Sequence, residues 1–342
     1  MRIGEVDLES RLLVMAEIGN NHEGDPAVAR ELVESAAESG AGAVKLQVFE
    51  PARFVRPSQP ERLAQLSDYQ LPREELVSLT ELARSLGMAV VATPLDVESL
   101  EFIAQHVDGL KIASGDNDCI PLIERVADAG LPMLISTGLA EVEEVRRAVD
   151  AVERRWAERE VDQELAVLHC VSAYPVSAEA ADLGRIPLLA RELRRTTGYS
   201  DHTLGIEACV SAAALGARVI EKHFTLSHDH SDFRDHALSA EPDELAKLVN
   251  EAEAAAAGGV PGDVPEPATE ARRAEEEPNR AALRRSIVAG ADLPSGRNLN
   301  EDDLSWMRPR DGLAPGEEGR LVGRSLVRGV TLGETIRPED VD

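Results

Sequence analysis

Residues Gly198 to Leu226 read GYSDHTLGIEACVSAAALGARVIEKHFTL. Two short strand-like runs end in polar residues, one at His202 and the other at His223. Between them, after Gly205, an Ala/Val/Leu-rich segment reads as a helix. Strand, helix and strand within about 30 residues form a βαβ unit, and such units build parallel sheets. The 21-residue separation of the histidines puts them on no common helix face. It sets them at the same end of neighbouring parallel strands, about 4.8 Å apart. Two imidazoles at that spacing reach one ion at about 2.1 Å each. A pair of buried structural histidines has the same pattern, so the spacing alone leaves both open.

The unit repeats. Apolar runs that end in polar clusters are Leu12–His22, Ala43–Phe49, Ala89–Pro94, Gly109–Gly115, Met133–Gly138, Ala166–Pro175, Thr197–Thr203 and Val219–Leu226. Helical patterns occupy Pro26–Ser39, Arg73–Leu86, Val97–Gln105, Ile120–Ala129, Glu141–Arg155, Leu183–Arg195, Ile206–Leu215 and Pro242–Ala257. Early prolines (Pro26, Pro242) or first-turn acids (Glu74, Glu75, Asp243, Glu244) mark helix starts. Gly40, Gly87 and Gly130 mark stops. Eight β/α repeats in about 250 residues match a (β/α)8 TIM barrel. A doubly wound open sheet is the alternative, but no GxGxxG follows the first strand.

A barrel carries its chemistry at the C-terminal ends of its strands. Those ends read Glu17-Ile-Gly-Asn20-Asn21-His22, Lys45-Leu-Gln47, Thr93-Pro94, Lys111-Ile-Ala-Ser114-Gly115-Asp116, Ser136-Thr137-Gly138, His169-Cys-Val-Ser172-Ala-Tyr174-Pro175, Ser200-Asp201-His202-Thr203 and Glu221-Lys222-His223. Only four lysines occur in the chain (Lys45, Lys111, Lys222, Lys247), and three of them fall here. A lysine is a compact point charge suited to phosphate. Lys45 and Lys111, with the hydroxyls of Ser114, Ser136, Thr93 and Ser200, are what an anionic phosphorylated ligand needs. Each alone fits a solvated or capping role; the set argues for a site.

Composition bounds the rest. The chain has 342 residues, with 63 Asp+Glu against 36 Lys+Arg and a net charge of −27. That disfavours nucleic acid or an anionic membrane as partner. An acidic, arginine-rich, lysine-poor chain suggests a protein adapted to high salt, where self-repulsion is screened. Genomic GC bias explains Arg over Lys, though not the charge. Cys119, Cys170 and Cys209 are an odd count without CxxC spacing, which fits a reduced cytoplasm. No apolar run approaches 18 residues and no signal h-region opens the chain, so a soluble intracellular protein is expected.

After residue 257 the pattern breaks. Residues 258–280, rich in Pro, Gly and acids, read as a linker or poorly packed loop between a barrel domain (1–257) and a small domain (281–342). The latter has short strand-like runs at Ser286–Ala289, Leu304–Met307, Leu321–Val322 and Ser325–Val327, and reads as mostly β or irregular. Its SWMRPRDG segment sets Arg308 and Arg310 on a loop, where a surface salt bridge is the plain alternative to ligand binding.

The segments AEIGNNHEG, KLQ, KIASGD, STG, LHCVSAYP, GYSDHTLG and EKHFTL, in this order, resemble the sialic acid synthase (NeuB/SpsE) family. The tail Arg284–Gly323 resembles that family's SAF (antifreeze-like) domain. The resemblance covers essentially the whole chain. It implies condensation of phosphoenolpyruvate (PEP) with an N-acetylated amino sugar such as N-acetylmannosamine, with release of phosphate. Synthases for legionaminic or pseudaminic acid, acting on a diacetamido 6-deoxy sugar, are the alternative within the family. A divalent metal, Mn2+ first and Mg2+ or Co2+ next, and a domain-swapped homodimer are implied too. By position, the resemblance implies that His202 and His223 bind the metal. Lys45, Thr93, Lys111, Ser114, Ser136, Ser172 and Ser200 would hold PEP. Gln47, Tyr174, Asp235 and Arg308 would contact the sugar, Arg308 reaching it from the other subunit. Glu17, Lys45 and Glu221 would serve the reacting centre.

Two departures touch the sugar pocket. Ser172 replaces an Asn often found in sialic acid synthases, and Phe233-Arg234-Asp235-His236 replaces the usual GPDH, preceded by His228-Asp-His230. His228 and His230 look metal-like but are read as polar loop residues. Outside the family, a Schiff-base aldolase would use Lys45, Lys111 or Lys222 as nucleophile. A non-catalytic scaffold carrying a binding or ice-interacting module is a third class, which the intact set of polar strand ends disfavours.

Overall fold

The computed structural model describes residues 1–342. Eight parallel strands close into a barrel: β1 Leu13–Gly19, β2 Ala43–Val48, β3 Ala89–Pro94, β4 Gly109–Ile112, β5 Met133–Ser136, β6 Leu165–Cys170, β7 Thr196–Asp201 and β8 Val219–His223. The strands read as near-continuous apolar runs because one side faces the barrel interior and the other is covered by helices. Those helices are α1 Pro26–Glu38, α2 Arg73–Ser85, α3 Val97–Ile103, α4 Ile120–Ala127, α5 Val142–Arg159, α6 Arg185–Leu193, α7 Glu207–Ala214 and α8 Pro242–Ala257. Asp25 caps α1 and Asp96 caps α3 through their side chains, and Glu141/Glu144 and Glu241/Glu244 form capping boxes on α5 and α8. Two further short helices, Pro51–Phe54 and Pro60–Tyr69, lie in the connection after β2. The expectation of a TIM barrel holds, and each element lies within a few residues of its sequence assignment. No helix is long and apolar enough to cross a membrane.

The period of two along a strand decides which residues enter the barrel. Leu13, Met15, Ala43, Ala89, Val91, Leu134, Ala166, Leu168 and Val219 form the lower interior with Met1, Ile3 and Leu8 of the N-terminal segment. Continuing the same alternation upward brings Glu17, Lys45, Gln47, Thr93, Ser136, Cys170, Glu221 and His223 onto the inner face. Closure pairs β8 with β1, aligning His223 with Glu17, and β1 pairs Glu17 with Lys45. Register then shifts between Glu17 and Gly19, where Gly19 has φ +55°. A Cβ there would stand 3.0 Å from Glu17 Oε1, so glycine keeps both the turn and the carboxylate in place.

The segment read as a linker is structured in its second half. Residues 269–283 form α9, with buried Arg272 and Glu276. Glu276 accepts from the backbone N–H groups of Leu139 (2.6 Å) and Ser172 (3.1 Å) at the barrel mouth. Arg272 pairs with Glu276 at 2.6 Å, Glu141 at 3.0 Å and Asp182 at 3.2 Å. The helix docks by a buried polar face, so the apolar periodicity that announces most helices is missing.

Beyond it, β9 Ser286–Ala289 pairs antiparallel with β10 Leu304–Met307. Ile287, Ala289, Leu299, Leu321, Leu326 and Ile336 are among the buried residues of a separate small core. The runs at 321–322 and 325–327 contribute only turns and isolated bridges.

Candidate active site

All but one of the residues that the resemblance assigns to metal, PEP, sugar and reacting centre line a single pocket at the C-terminal mouth of the barrel. Its wall includes Glu17, Lys45, Gln47, Thr93, Lys111, Ser114, Ser172, Tyr174, Ser200, His202, Glu221, His223, Asp235 and Arg308. Ser136 is the exception: it lies on the inner face next above Leu134, and its hydroxyl is buried without a partner. Lys222 faces the other way, as the alternation requires. It is fully buried, donating to Asp201 and to the Thr203 carbonyl, each at 2.6 Å. That removes Lys222 as a pocket nucleophile. A larger groove of about 950 Å³ lies beside α3 and α4 against the C-terminal module, away from the strand ends and lined mostly by charged residues.

Two buried ion pairs define the floor. Lys45 Nζ lies 2.6 Å from Glu17 Oε2 and 3.3 Å from Thr93 Oγ1. Lys111 Nζ donates to Glu221 Oε1 at 2.9 Å, and Ser200 Oγ donates to the same oxygen at 2.7 Å. Burial pulls the Lys45 ammonium down to about 7, with the Glu221 charge opposing and the Lys111 charge assisting. Burial raises the Glu221 carboxyl, but the charges of Lys111 and Lys45 outweigh it and hold it low. Buried pairs of this kind are poor stabilisers compared with apolar packing, and their retention fits a ligand-binding role.

Above the lysines the serines converge. Ser114 Oγ accepts from the Gly138 N–H at 3.1 Å, and the Ser172 hydroxyl is buried without a partner. A Cβ on Gly138 would fall 2.2 Å from Ser172 Oγ and 2.7 Å from Ser114 Oγ. Glycine here keeps open a cradle of hydroxyls and one backbone donor beside two ammonium groups, an arrangement made for an anion. Asn117, unnoticed in the sequence, holds this turn by donating to the carbonyls of Ser136 and Gly138 at 2.9 Å each.

The two strand-end histidines come together with ring centroids 5.5 Å apart. His202 donates Nδ1–H to the Val171 carbonyl at 2.7 Å, which leaves Nε2 as the free lone pair. His223 Nδ1 is buried without a hydrogen-bond partner. Burial lowers both imidazoles below the ordinary histidine range; for His223 the neighbouring His202 adds to it. Two neutral, convergent imidazoles with an orphaned nitrogen fit a divalent metal and leave most of its positions for other ligands.

The roof comes from elsewhere in the chain. Arg234 lies over the Tyr174 ring at 4.8 Å, and Arg308 lies over Phe54 at 4.6 Å while donating to Asp116 at 3.1 Å. Phe49, Phe54, Leu66 and Phe233 give this side an apolar wall. Phe233 and Arg234 border the pocket as the family resemblance implied, while Arg62 was not foreseen; loop residues carry no periodic signal that aims them at a pocket. In the single chain Arg308 lines that chain's own pocket. The reason is local. The N–H of Arg308 donates to the Phe54 carbonyl at 3.1 Å, and Arg285 grips Asp116 at 2.7 and 2.9 Å.

A parallel barrel with a lysine-, carboxylate- and histidine-lined mouth defines a barrel protein built to hold an anionic ligand, and the sequence match narrows the class. Residues 32–259 fit the model described as the NeuB family, and this chain belongs to that family. N,N'-diacetyllegionaminic acid synthase of Legionella pneumophila is 37% identical, the match covering 96% of this chain and 94% of that one. Among solved structures, the spore coat polysaccharide biosynthesis protein SpsE of Bacillus subtilis superposes with a TM-score of 0.84 at 28% identity, covering 100% of this chain and 99% of that one. An N-acetylneuraminic acid synthetase of Leptospira borgpetersenii, in complex with citrate, gives a TM-score of 0.71 at 33% identity over 82% of this chain and 96% of that one.

Proposed function

We propose that this protein condenses phosphoenolpyruvate with a diacetamido 6-deoxy hexose to form a legionaminic-type nonulosonic acid and phosphate. One observation carries the reaction class: two buried lysines, two carboxylates and two neutral imidazoles share one pocket. Lys45 and Lys111 with Thr93, Ser114, Ser172 and Ser200 hold PEP, and Ser136 supports them from below. The incoming anion competes with Glu17 and Glu221 for the ammonium groups, so binding substrate frees the carboxylates for proton work.

In this reading PEP C3 forms the new bond to the aldehyde carbon of the open-chain sugar, and the aldehyde oxygen becomes a hydroxyl. Water adds to C2, loses a proton, and the tetrahedral centre collapses to a ketone as phosphate leaves by C–O cleavage. Glu17, hydrogen-bonded to Gln47 at 2.8 Å and paired with Lys45, is positioned to move the proton of that water or of the aldehyde oxygen. His202 and His223 would hold the metal, which supplies Lewis-acid polarisation of the aldehyde. Tyr174, Gln47, Asp235 and Arg308 contact the sugar.

The acceptor proposed here replaces N-acetylmannosamine, the first expectation from sequence. The relationship to the Legionella synthase supports it, as does the apolar wall of Phe49, Phe54, Leu66 and Phe233, which suits a 6-deoxy methyl and a second acetamido group. Phosphate release from PEP, with and without Mn2+, against N-acetylmannosamine, its 6-phosphate and diacetamido 6-deoxy hexoses tests it. Metal-dependent release with a diacetamido sugar is expected; release only with N-acetylmannosamine or its phosphate would overturn the acceptor, and no release with any would overturn the reaction.

A further inference from the structure

The loop after β8 contains one group that the pocket does not use. Its His230 and His236 meet Glu23, from the loop after β1, with ligand atoms all within 4.8 Å of one another. It is the one group of three such side chains in the chain with that geometry. His228, by contrast, is tied to the Ser239 carbonyl at 2.8 Å and behaves as the loop residue the sequence suggested.

Two proton arrangements fit the contacts around His236. In one, Thr225 Oγ1 donates to Nδ1 and the Nε2–H donates to Glu23. In the other, Thr225 Oγ1 donates to the Ser227 carbonyl at 3.0 Å, and the ring donates the 2.7 Å contact from Nδ1 to Thr225 Oγ1. That leaves the Nε2 lone pair facing Glu23 Oε1 at 3.1 Å. A bare imidazole nitrogen and a carboxylate oxygen repel at that distance unless a proton or a cation lies between them. Ser231 Oγ also donates to Glu23 Oε1 at 2.5 Å, which orients the carboxylate. The His230 ring stands 5.1 Å from that of His236, on the solvent side. A buried imidazole, an oriented carboxylate and an exposed imidazole, with a hydroxyl behind the buried ring, make a three-ligand set with room for water.

We propose that Glu23, His230 and His236 form a second divalent-cation site, of the kind zinc takes, separate from the His202/His223 pair. The site clips the loop Ser227–His236 onto the loop Asn20–Asp25. The clipped loop also carries Phe233, Arg234 and Asp235 to the pocket wall. Phe233 is packed edge-on against Tyr69, with ring centroids 5.2 Å apart. The cation thus sets the shape of the acceptor wall without touching the reacting atoms.

Metal counting tests this without any substrate, so its outcome is independent of the proposed reaction. The full-length protein, stripped by chelator and dialysed, is titrated with Zn2+ and with Co2+, reading bound metal and the visible cobalt spectrum. Two equivalents per chain are expected. His230→Ala and Glu23→Gln should each remove one and leave the other; the paired His202→Ala/His223→Ala variant should remove only the complementary one. His230 is exposed, so its variant keeps the fold, as circular dichroism will check. Metal binding that is equal in the parent and both single variants, whether one equivalent or two, would overturn the site and leave a His236–Glu23 hydrogen bond in its place; a single equivalent lost in both single variants would keep this site and remove the His202/His223 one.

Discussion

Lys111 Nζ and Glu221 Oε1 meet at 2.9 Å inside the barrel, one from β4 and the other from β8. Each is the counter-charge of the other, and Lys45 draws on Glu221 as well. Glu221→Gln removes the negative charge at almost no change in shape. It leaves Lys111 buried without its carboxylate, a change that costs about 3–5 kcal/mol. Chemical denaturation of the ligand-free variant should show that loss. Saturating PEP should restore much of it, because the phosphate takes over as counter-charge. A variant as stable as the parent without ligand would contradict the pairing.

The pH profile follows from Lys45. It must carry its proton to attract an anion, and burial holds its pKa near 7 in the free protein. Affinity for PEP is therefore full below about pH 7 and lost as pH rises through that value. The alkaline limb of kcat/KM for PEP should begin about three pH units below the ordinary lysine range. Lys45→Arg stays charged throughout and should shift the limb upward even if its maximum is lower. An unmoved limb in that variant would assign the titration to another group.

How much of this was legible in the sequence depends on periodicity. The barrel strands were readable because each is an apolar run closed by a polar end. The same alternation that buries Leu13, Met15 and Glu17 on one face also separates Glu221 and His223 from Lys222, although the strand end reads simply as Glu-Lys-His. The helix α9 escaped because its buried face is Arg272 and Glu276 in place of leucines. Arg62 escaped because a loop has no repeating pattern to aim a side chain, and Phe233 and Arg234 were legible only through the family resemblance. Arg308 was expected at the pocket only through family resemblance, and its attachment through Val55 and Asp116 belongs to the tertiary structure.

Chelation should separate binding from turnover. On the proposed reading, a metal held by His202 and His223 would polarise the acceptor, while PEP would rest on lysines and hydroxyls. His223→Ala, or the stripped protein, should still bind PEP within a few-fold but lose on the order of 10³ in kcat, since Lewis-acid polarisation supplies several kcal/mol. Isothermal titration with PEP and single-turnover rates with the acceptor give the two numbers. Loss of PEP affinity equal to the loss of rate would mean that the metal holds PEP, not the aldehyde.

Asp116 distinguishes holding the C-terminal module from holding the sugar. Its carboxylate receives Arg285 and Arg308, whose charges and hydrogen bonds outweigh burial and keep it well below the usual carboxylate range. Stability from this group is present above its unfolded-state pKa and fades only as pH falls through that depressed value, so docking persists at neutral and mildly acid pH. Asp116→Asn leaves two buried guanidinium groups short of a partner and should cost about 3–5 kcal/mol, with faster proteolysis at residues 258–268. Arg308→Ala keeps the Arg285 clamp and should spare that stability. It should instead raise the KM of the sugar about 10- to 100-fold, the value of one charged hydrogen bond, and leave PEP affinity unchanged. If Arg308→Ala loosened the module as much as Asp116→Asn and left the sugar KM alone, Arg308 would be a docking residue only.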